Sequence, residues 1–244
     1  MNKNNYTLED LLVNDLKIYQ DKSQYTFTSD STILAQFIAV KPNEKIIEAC
    51  SGSGVISILL TAKGANDITC FEIQKNLAFM SEQSVKINNL TDKIKIICDD
   101  FQNVTNYVNK VDTIVCNPPY YKSGKESLND SIKKAKFETS MTLNDLIQTS
   151  AKILKDKGSF YICFTPDRTS ELLYCLTKNK LQPKIMFFTQ KDQGKNPSCV
   201  FVKAVKNDNY GIKVLPTLFT HDNDGKFILS TQELFKQYKN ILQE

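Results

Sequence analysis

The chain is poor in the residues that most catalytic and redox machinery needs. One histidine, His221, stands in 244 residues. With no nucleophile motif anywhere, it cannot build a Ser/His/Asp or Cys/His triad. Lying between Thr220 and Asp222, it reads as a surface loop residue. None of the seven cysteines (Cys50, Cys70, Cys98, Cys116, Cys163, Cys175, Cys199) forms a C-x-x-C pair, and the number is odd. That argues against a zinc site and a disulfide framework. Most lie in apolar runs such as Ile96-Ile97-Cys98 and Ile114-Val115-Cys116, where a thiol serves as a small hydrophobe. No metal is expected, and the thiols read as reduced and cytoplasmic. No apolar run is long enough to span a bilayer. The polar opening Met1-Asn2-Lys3-Asn4-Asn5 lacks an apolar signal core, so a cytoplasmic protein with no membrane partner is expected.

What is present is an ordinary globular composition, 41% hydrophobic and 24% charged. The length fits one α/β domain over 1–244, with residues 1–40 as a helical appendage: a helix, a loop and a second helix. The net charge of +4, from 31 basic and 27 acidic residues, is a mild bias toward an anionic partner. Oligomeric state is not legible, and a monomer is the weak default. There is no internal repeat. From Lys45 onward strands and helices alternate. Strands are expected at Ile46–Cys50, Ile68–Ile73, Ile94–Cys98, Val111–Cys116 and Ser159–Phe164. Helices are expected at Val55–Ala62, Lys75–Asn88, Leu143–Leu154 and Thr169–Lys178, the third ended by Lys157-Gly158. Alternation of this kind implies a mostly parallel sheet with helices on both faces. Two late strands, Ile185–Thr189 and Cys199–Val205, have no helix between them and suggest an antiparallel edge. The expected architecture is a Rossmann-like, seven-stranded α/β fold.

The first strand runs into Glu48-Ala49-Cys50-Ser51-Gly52-Ser53-Gly54. Gly52 and Gly54 in a strand-to-helix turn let backbone approach a ligand closely, beside the free N–H groups of a helix start. A dinucleotide fingerprint would need glycine at 57, where this chain has Ser57. Glu72 ends the second strand, 18 residues after Gly54, where a carboxylate can accept hydrogen bonds from both hydroxyls of a ribose. Asp99-Asp100-Phe101 follows the third strand. The acid-x-x-x-Gly-x-Gly turn resembles the first motif of class I methyltransferases. By that resemblance Glu48 lies near the amino-acid portion of S-adenosyl-L-methionine, Asp100 meets the adenine amino group, and Phe101 packs on the ring.

Asn117-Pro118-Pro119-Tyr120 closes the fourth strand and is the most specific feature of the chain. The prolines fix φ and remove two N–H donors. The Asn117 side-chain oxygen and the Pro118 carbonyl are left as acceptors, the pair that an exocyclic NH2 requires. Holding both protons aims the nitrogen lone pair at a methyl donor, so catalysis is mainly positioning. Tyr120 can stack on a flat target for about 1–3 kcal/mol. The assigned catalytic set is Asn117, Pro118 and Tyr120, with Asn117 also facing the cofactor. The ordered series resembles amino-directed methyltransferases.

Two further stretches narrow the resemblance. Leu11 to Gln20, followed by Tyr25-Thr26-Phe27-Thr28-Ser29-Asp30-Ser31-Thr32-Ile33-Leu34, is similar to the opening of the bacterial valine-tRNA adenine-N6 methyltransferases. So are Thr165-Pro166-Asp167-Arg168, Lys191 to Asn196 and Leu215 to Phe219. The resemblance implies that Phe27 and Asp30 lie over the cofactor. It implies tRNA as partner and methylation of the adenine 3′ to the anticodon of a valine tRNA. Arg168, Lys191 and Lys195 would be phosphate contacts. Lys122, Lys125, Lys133 and Lys134 in the 121–137 insertion are further RNA candidates, because long loops in compact domains often bind ligands. Relatives often carry His-Glu where this chain has Phe137-Glu138. Two alternatives stay open. Glutamine methyltransferases of release factors share N-P-P-Y but carry a larger helical N-terminal domain. A non-catalytic tRNA-binding module would keep the fold without the chemistry. DNA adenine methyltransferases usually add a recognition domain, for which there is no room.

Overall fold

The computed structural model describes residues 6–21, 26–119, 141–222, 224–226, 228 and 234–235. Tyr120 and the insertion lysines Lys122, Lys125, Lys133 and Lys134 lie outside the described residues, as do Phe137 and Glu138.

Eleven strands and five α-helices are described. The strands are β1 (Tyr6–Asp10), β2 (Lys17–Asp21), β3 (Lys45–Ala49), β4 (Asp67–Phe71), β5 (Ile94–Ile97), β6 (Val111–Cys116), β7 (Leu154–Phe164), β8 (Leu181–Gln190), β9 (Pro197–Lys206), β10 (Lys213–Val214) and β11 (Leu218–Phe219). The helices are α1 (Ser29–Phe37), α2 (Val55–Thr61), α3 (Lys75–Ile87), α4 (Leu143–Ile153) and α5 (Thr169–Lys178). The main sheet runs β5-β4-β3-β6-β7-β9-β8, with the two-residue β10 and β11 both pairing with the outer strand β8. β3 through β7 are mutually parallel; β9 lies antiparallel between β7 and β8. This is the α/β architecture with an antiparallel edge that the alternation implied.

Residue alternation along the strands divides the core into two halves, one on each face. In β3, Ile46 joins the half that includes Ile33, Leu34, Ile58 and Leu60 from α1 and α2. Its neighbours Ile47 and Ala49 join the half built with Leu146, Ile147 and Leu172 from α4 and α5. The same switch occurs in β6 between Val115 and its neighbours Ile114 and Cys116. Period-two alternation in apolar strands is what a sheet covered on both faces requires. α4 starts at a capping box: Thr142 Oγ1 accepts from Asp145 N, and Asp145 Oδ2 accepts from Thr142 N.

The N-terminal segment departs from expectation. Residues 6–21 form an antiparallel hairpin, not a helix. Its loop uses left-handed backbone at Leu12, Asn14 and Asp15. Leu11, Val13 and Leu16 turn inward against the core instead of lining a helical stripe. The free edge of β2 is tied to α3, not to the sheet. Lys17 N donates to Asn88 Oδ1 at 2.9 Å, and Tyr19 N donates to Ser84 Oγ at 2.9 Å. A second departure is at Lys157-Gly158, which lies inside β7 and not after a helix. Lys157 adopts φ +62° there, and the pairing with β6 shifts register between Val111 and Thr113. A side chain at Gly158 would sit 2.8 Å from the Lys155 carbonyl oxygen. The pair therefore marks a bulge.

Candidate active site

Register alone gathers the site. Ala49 pairs with Phe71 on one side and Cys116 on the other, and Phe71 pairs in turn with Ile97. The residues that follow these positions therefore leave the same carboxyl edge on neighbouring strands, about 4.8 Å apart. They are the glycine turn after Ala49, Glu72 after Phe71, Cys98 to Asp100 after Ile97, and Asn117 after Cys116. β3 is also where strand order reverses, with β4 on one side and β6 on the other. Open α/β sheets bind ligands at such a switch point.

The glycine turn is built from left-handed backbone: Cys50 at φ +56°, Gly52 at +56° and Gly54 at +81°. A Cβ on Gly54 would stand 2.3 Å from Ser81 Oγ on α3, so only glycine fits beneath that helix. A Cβ on Gly52 would meet nothing within 4 Å, so this peptide faces open space. Ser51 Oγ is buried and finds no partner among the described residues.

Glu72 stitches the turn to the next element. Its Oε2 accepts from Gly52 N at 2.7 Å and its Oε1 from Gln74 N, at the start of α3, at 2.8 Å. Burial raises its pKa above the usual carboxylate value, against the lowering by these backbone donors. The next residue, Ile73, is 46% exposed and was missed in the sequence. An exposed branched apolar side chain beside a buried acid offers a surface on which a flat ring can pack. The signal was its place at the strand end.

The two aspartates after β5 divide their work. Asp99 is committed to Tyr107 OH at 2.7 Å, Asn103 Nδ2 at 3.1 Å and Asp100 N at 2.7 Å, the Tyr107 bond doing most to hold its pKa down. Asp100 caps the 3-10 turn Phe101–Asn106 by accepting from Gln102 N at 2.9 Å. Among the described residues its Oδ2 has a long contact to Gln102 Nε2 at 3.4 Å, so Asp100 is the better placed to accept from a ligand.

Two of the assigned residues are buried in other contacts. Glu48 is 1% exposed. Period two puts it on the α2 face of β3, where Oε2 accepts from Ser57 N at 2.9 Å and from the Ser57 hydroxyl. It holds the first turn of α2, and burial pushes its pKa up to about 7. Phe101 is 3% exposed, with its ring edge-on to Phe71 at 5.7 Å. It packs in the core, where the 3-10 turn points its side chain.

Asn117 closes β6 half-buried. Its Nδ2 donates to Ser31 Oγ of α1 at 2.9 Å. Its Oδ1 is buried without a partner among the described residues. A buried amide oxygen left unpaired costs about 1–3 kcal/mol, which makes it a poor structural element and a good receptor. Pro118 is buried beside it. Behind the turn, Pro118 and Pro119 line a cavity of only about 10 Å³ with Met141, Leu143, Leu146 and Phe164. That void is too small for a substrate and keeps the turn on a firm apolar floor. The Asn117–Ser31 contact also brings the first turn of α1, which holds Asp30, against the end of β6. Burial raises the pKa of Asp30. Phe27 is placed just before α1 by the hairpin: its N–H donates to Gln20 Oε1 at 3.1 Å.

The basic candidates separate. Arg168 is not a free phosphate contact: Nε and Nη2 both bind the Glu171 carboxylate at 2.8 Å, and the guanidinium lies 4.8 Å over the Phe164 ring. Lys191 and Lys195 are exposed on the turn between β8 and β9. Because β8 runs parallel to β7, that turn stands at the same carboxyl edge as Asn117. β11 pairs with the last residues of β8, and His221 N then donates to the Lys191 carbonyl at 3.2 Å. Among the described residues there is no cluster of His, Cys, Asp or Glu able to hold a metal, and no helix long and apolar enough to cross a membrane.

The chain resembles proteins of known description over most of its length. A Bacteroides thetaiotaomicron protein named tRNA1(Val) (adenine(37)-N6)-methyltransferase is 25% identical over 226 residues, covering 91% of this chain and 95% of that one. Its namesake from Shewanella halifaxensis is 23% identical, covering 83% and 87%. Among solved structures, a protein of Agrobacterium tumefaciens titled a predicted O-methyltransferase superposes with a TM-score of 0.65 at 14% identity, covering 84% of this chain and 95% of that one. Methanocaldococcus jannaschii Trm5, crystallised with adenosine, superposes at 0.60 and 14% identity, covering 84% and 56%. The model of the methyltransferase small domain matches residues 23–178, from the approach to α1 through the end of α5. That span takes in the glycine turn, Glu72, Asp100 and Asn117 together, and the chain is a member of the methyltransferase small domain family, whose methyl donor is S-adenosyl-L-methionine.

Proposed function

We propose that the protein methylates N6 of an adenine in tRNA, the adenine at position 37 of a valine tRNA. The observation that carries the chemistry is the buried, unpartnered Oδ1 of Asn117 at the switch point of the sheet. The names of the relatives that align over nearly the whole chain support the substrate.

The residues present fit S-adenosyl-L-methionine. Gly52 faces open space, Ser51 Oγ is an orphaned buried hydroxyl, and Glu72 is a buried carboxylate at the end of β4. In this reading Glu72 holds the ribose hydroxyls, Ile73 packs on the adenine ring, Asp100 meets its amino group, and Phe27 and Asp30 cover the cofactor from the α1 side. When bound, the cofactor supplies an electrophilic methyl on a sulfonium. Asn117 Oδ1 and the Pro118 carbonyl accept the two N–H bonds of the target amine and fix its orientation, and Tyr120 stacks on the base. Alkylation puts a positive charge on the nitrogen held at Asn117 Oδ1 and the Pro118 carbonyl, which makes its proton acidic enough to pass to water, so no strong base is needed. Lys191 and Lys195 meet RNA phosphates, together with Lys122, Lys125, Lys133 and Lys134.

The test is nucleoside mass spectrometry of tRNA from cells lacking the protein. Loss of N6-methyladenosine from valine tRNA, restored by the wild-type gene and not by Asn117→Ala, is the expected result. Unchanged tRNA with loss of a methylated glutamine would move the target to a protein.

A further inference from the structure

α1 lies outside the strand-end series that carries the site, yet it supplies a polar contact to the catalytic turn. Ser31, in the first turn of α1, is 4% exposed. Its Oγ accepts from Asn117 Nδ2 at 2.9 Å across 86 residues of sequence. The other half of the Asn117 amide, Oδ1, is buried and unpartnered among the described residues.

An Asn side chain offers two donors on one end and an acceptor on the other, and rotation about Cβ–Cγ exchanges them. Both ends cannot face a substrate amine equally well. Oδ1 toward the amine makes a hydrogen bond; Nδ2 toward it sets donor against donor. A contact that engages Nδ2 on the far side leaves Oδ1 to meet the substrate. Ser31 is the described side chain that makes this contact. Its hydroxyl tolerates either rotamer on its own, and the incoming amine breaks that symmetry, because only one rotamer pairs both partners. The same contact ties the catalytic turn to α1 and so to the segment holding Phe27 and Asp30.

We propose that Ser31 is a positioning residue for methyl transfer, holding the Asn117 amide so that Oδ1 faces the acceptor amine. The proposal rests on the reading of Asn117 as the amine acceptor. It does not make Ser31 a ligand of cofactor or RNA.

Ser31→Ala suits the test, because alanine is favourable in a helix and leaves α1 intact. With tRNA as substrate, kcat should fall by ~10- to 100-fold, the scale on which small misplacements act. KM for tRNA and the dissociation constant for S-adenosylhomocysteine should stay at wild-type values. Ser31→Thr, which keeps the hydroxyl, should recover most of kcat. Ser31→Cys, close in size with a weak acceptor, should behave like Ser31→Ala and serves in its place should that variant lose its fold. In ¹⁵N-labelled protein, the Asn117 side-chain NH2 resonances should move in Ser31→Ala and return in Ser31→Thr. Wild-type kcat in Ser31→Ala, or unmoved Asn117 resonances, would overturn the proposal. If the wild-type protein transfers no methyl to tRNA, the substrate reading fails, and the resonance comparison still decides the role of Ser31.

Discussion

At the scale of single residues the site rests on a few groups that burial forces into one role. Asn117→Ala removes the acceptor and should lower kcat by ~10²- to 10³-fold, as loss of one preorganised hydrogen-bonding group does elsewhere. S-adenosylhomocysteine binding measured by calorimetry should be unchanged. Gly54→Ala should destabilise the protein by about 2–4 kcal/mol, from a left-handed φ plus the clash with Ser81 Oγ. Adding Ser81→Ala should return part of that loss and leave the backbone strain, measured by urea unfolding of both variants. The motif Asn117-Pro118 was legible in sequence because its chemistry is local. The facing of Glu48 and Phe101 was not legible, because position in a motif does not set it. Period two in β3 sends Glu48 under α2, and a 3-10 turn sends Phe101 into the core. Ser31 and Ile73 went unnoticed because contact across 86 residues, or exposure at a strand end, is a tertiary property.

At the scale of elements the strands and helices from β3 to α5 stood out through alternating apolar runs, and the hairpin β1–β2 did not. Left-handed backbone at Leu12, Asn14 and Asp15 carries no glycine to announce it. The hairpin also explains how Phe27 is presented: Gln20 Oε1 accepts from its N–H while Gln20 Nε2 donates to Glu9. Gln20→Ala should release the Phe27 backbone and weaken cofactor binding by about fivefold, the equivalent of one hydrogen bond. At the carboxyl edge, the turn between β8 and β9 and the turn after β7 should behave differently. Lys191→Ala and Lys195→Ala should each weaken tRNA binding and reduce the salt slope by about one. Arg168→Ala should instead lower stability by about 1–2 kcal/mol, through the lost ion pair with Glu171 and stacking on Phe164, and leave the salt slope nearly unchanged. Titration of binding against salt separates the two classes.

At the scale of the whole molecule, the buried acids near the switch point make stability depend on pH. Glu48 has a folded pKa of about 7 against an ordinary value of 4.5. The fold therefore favours the protonated form. Its contribution is fully present below pH 4.5 and is lost as pH rises through about 7. The size is ~3 kcal/mol. Burial moves Glu72 and Asp30 in the same direction. Glu48→Gln keeps an acceptor for Ser57 and has no charge to bury, so it should flatten the dependence; urea unfolding at pH 5 and pH 8 checks this.

The whole molecule also sets the central claim, that one parallel register brings a cofactor turn and an amine receptor to the same edge. The most direct measurement is transfer of labelled methyl from S-adenosyl-L-methionine to an unmodified valine tRNA transcript by wild-type protein and by Asn117→Ala, with the labelled nucleoside mapped by mass spectrometry. N6-methyladenosine at position 37 is expected with wild type, and a loss of ~10²-fold or more with the variant. Methyl transfer that survives Asn117→Ala, or a label on a ring carbon or ribose oxygen, would contradict the claim.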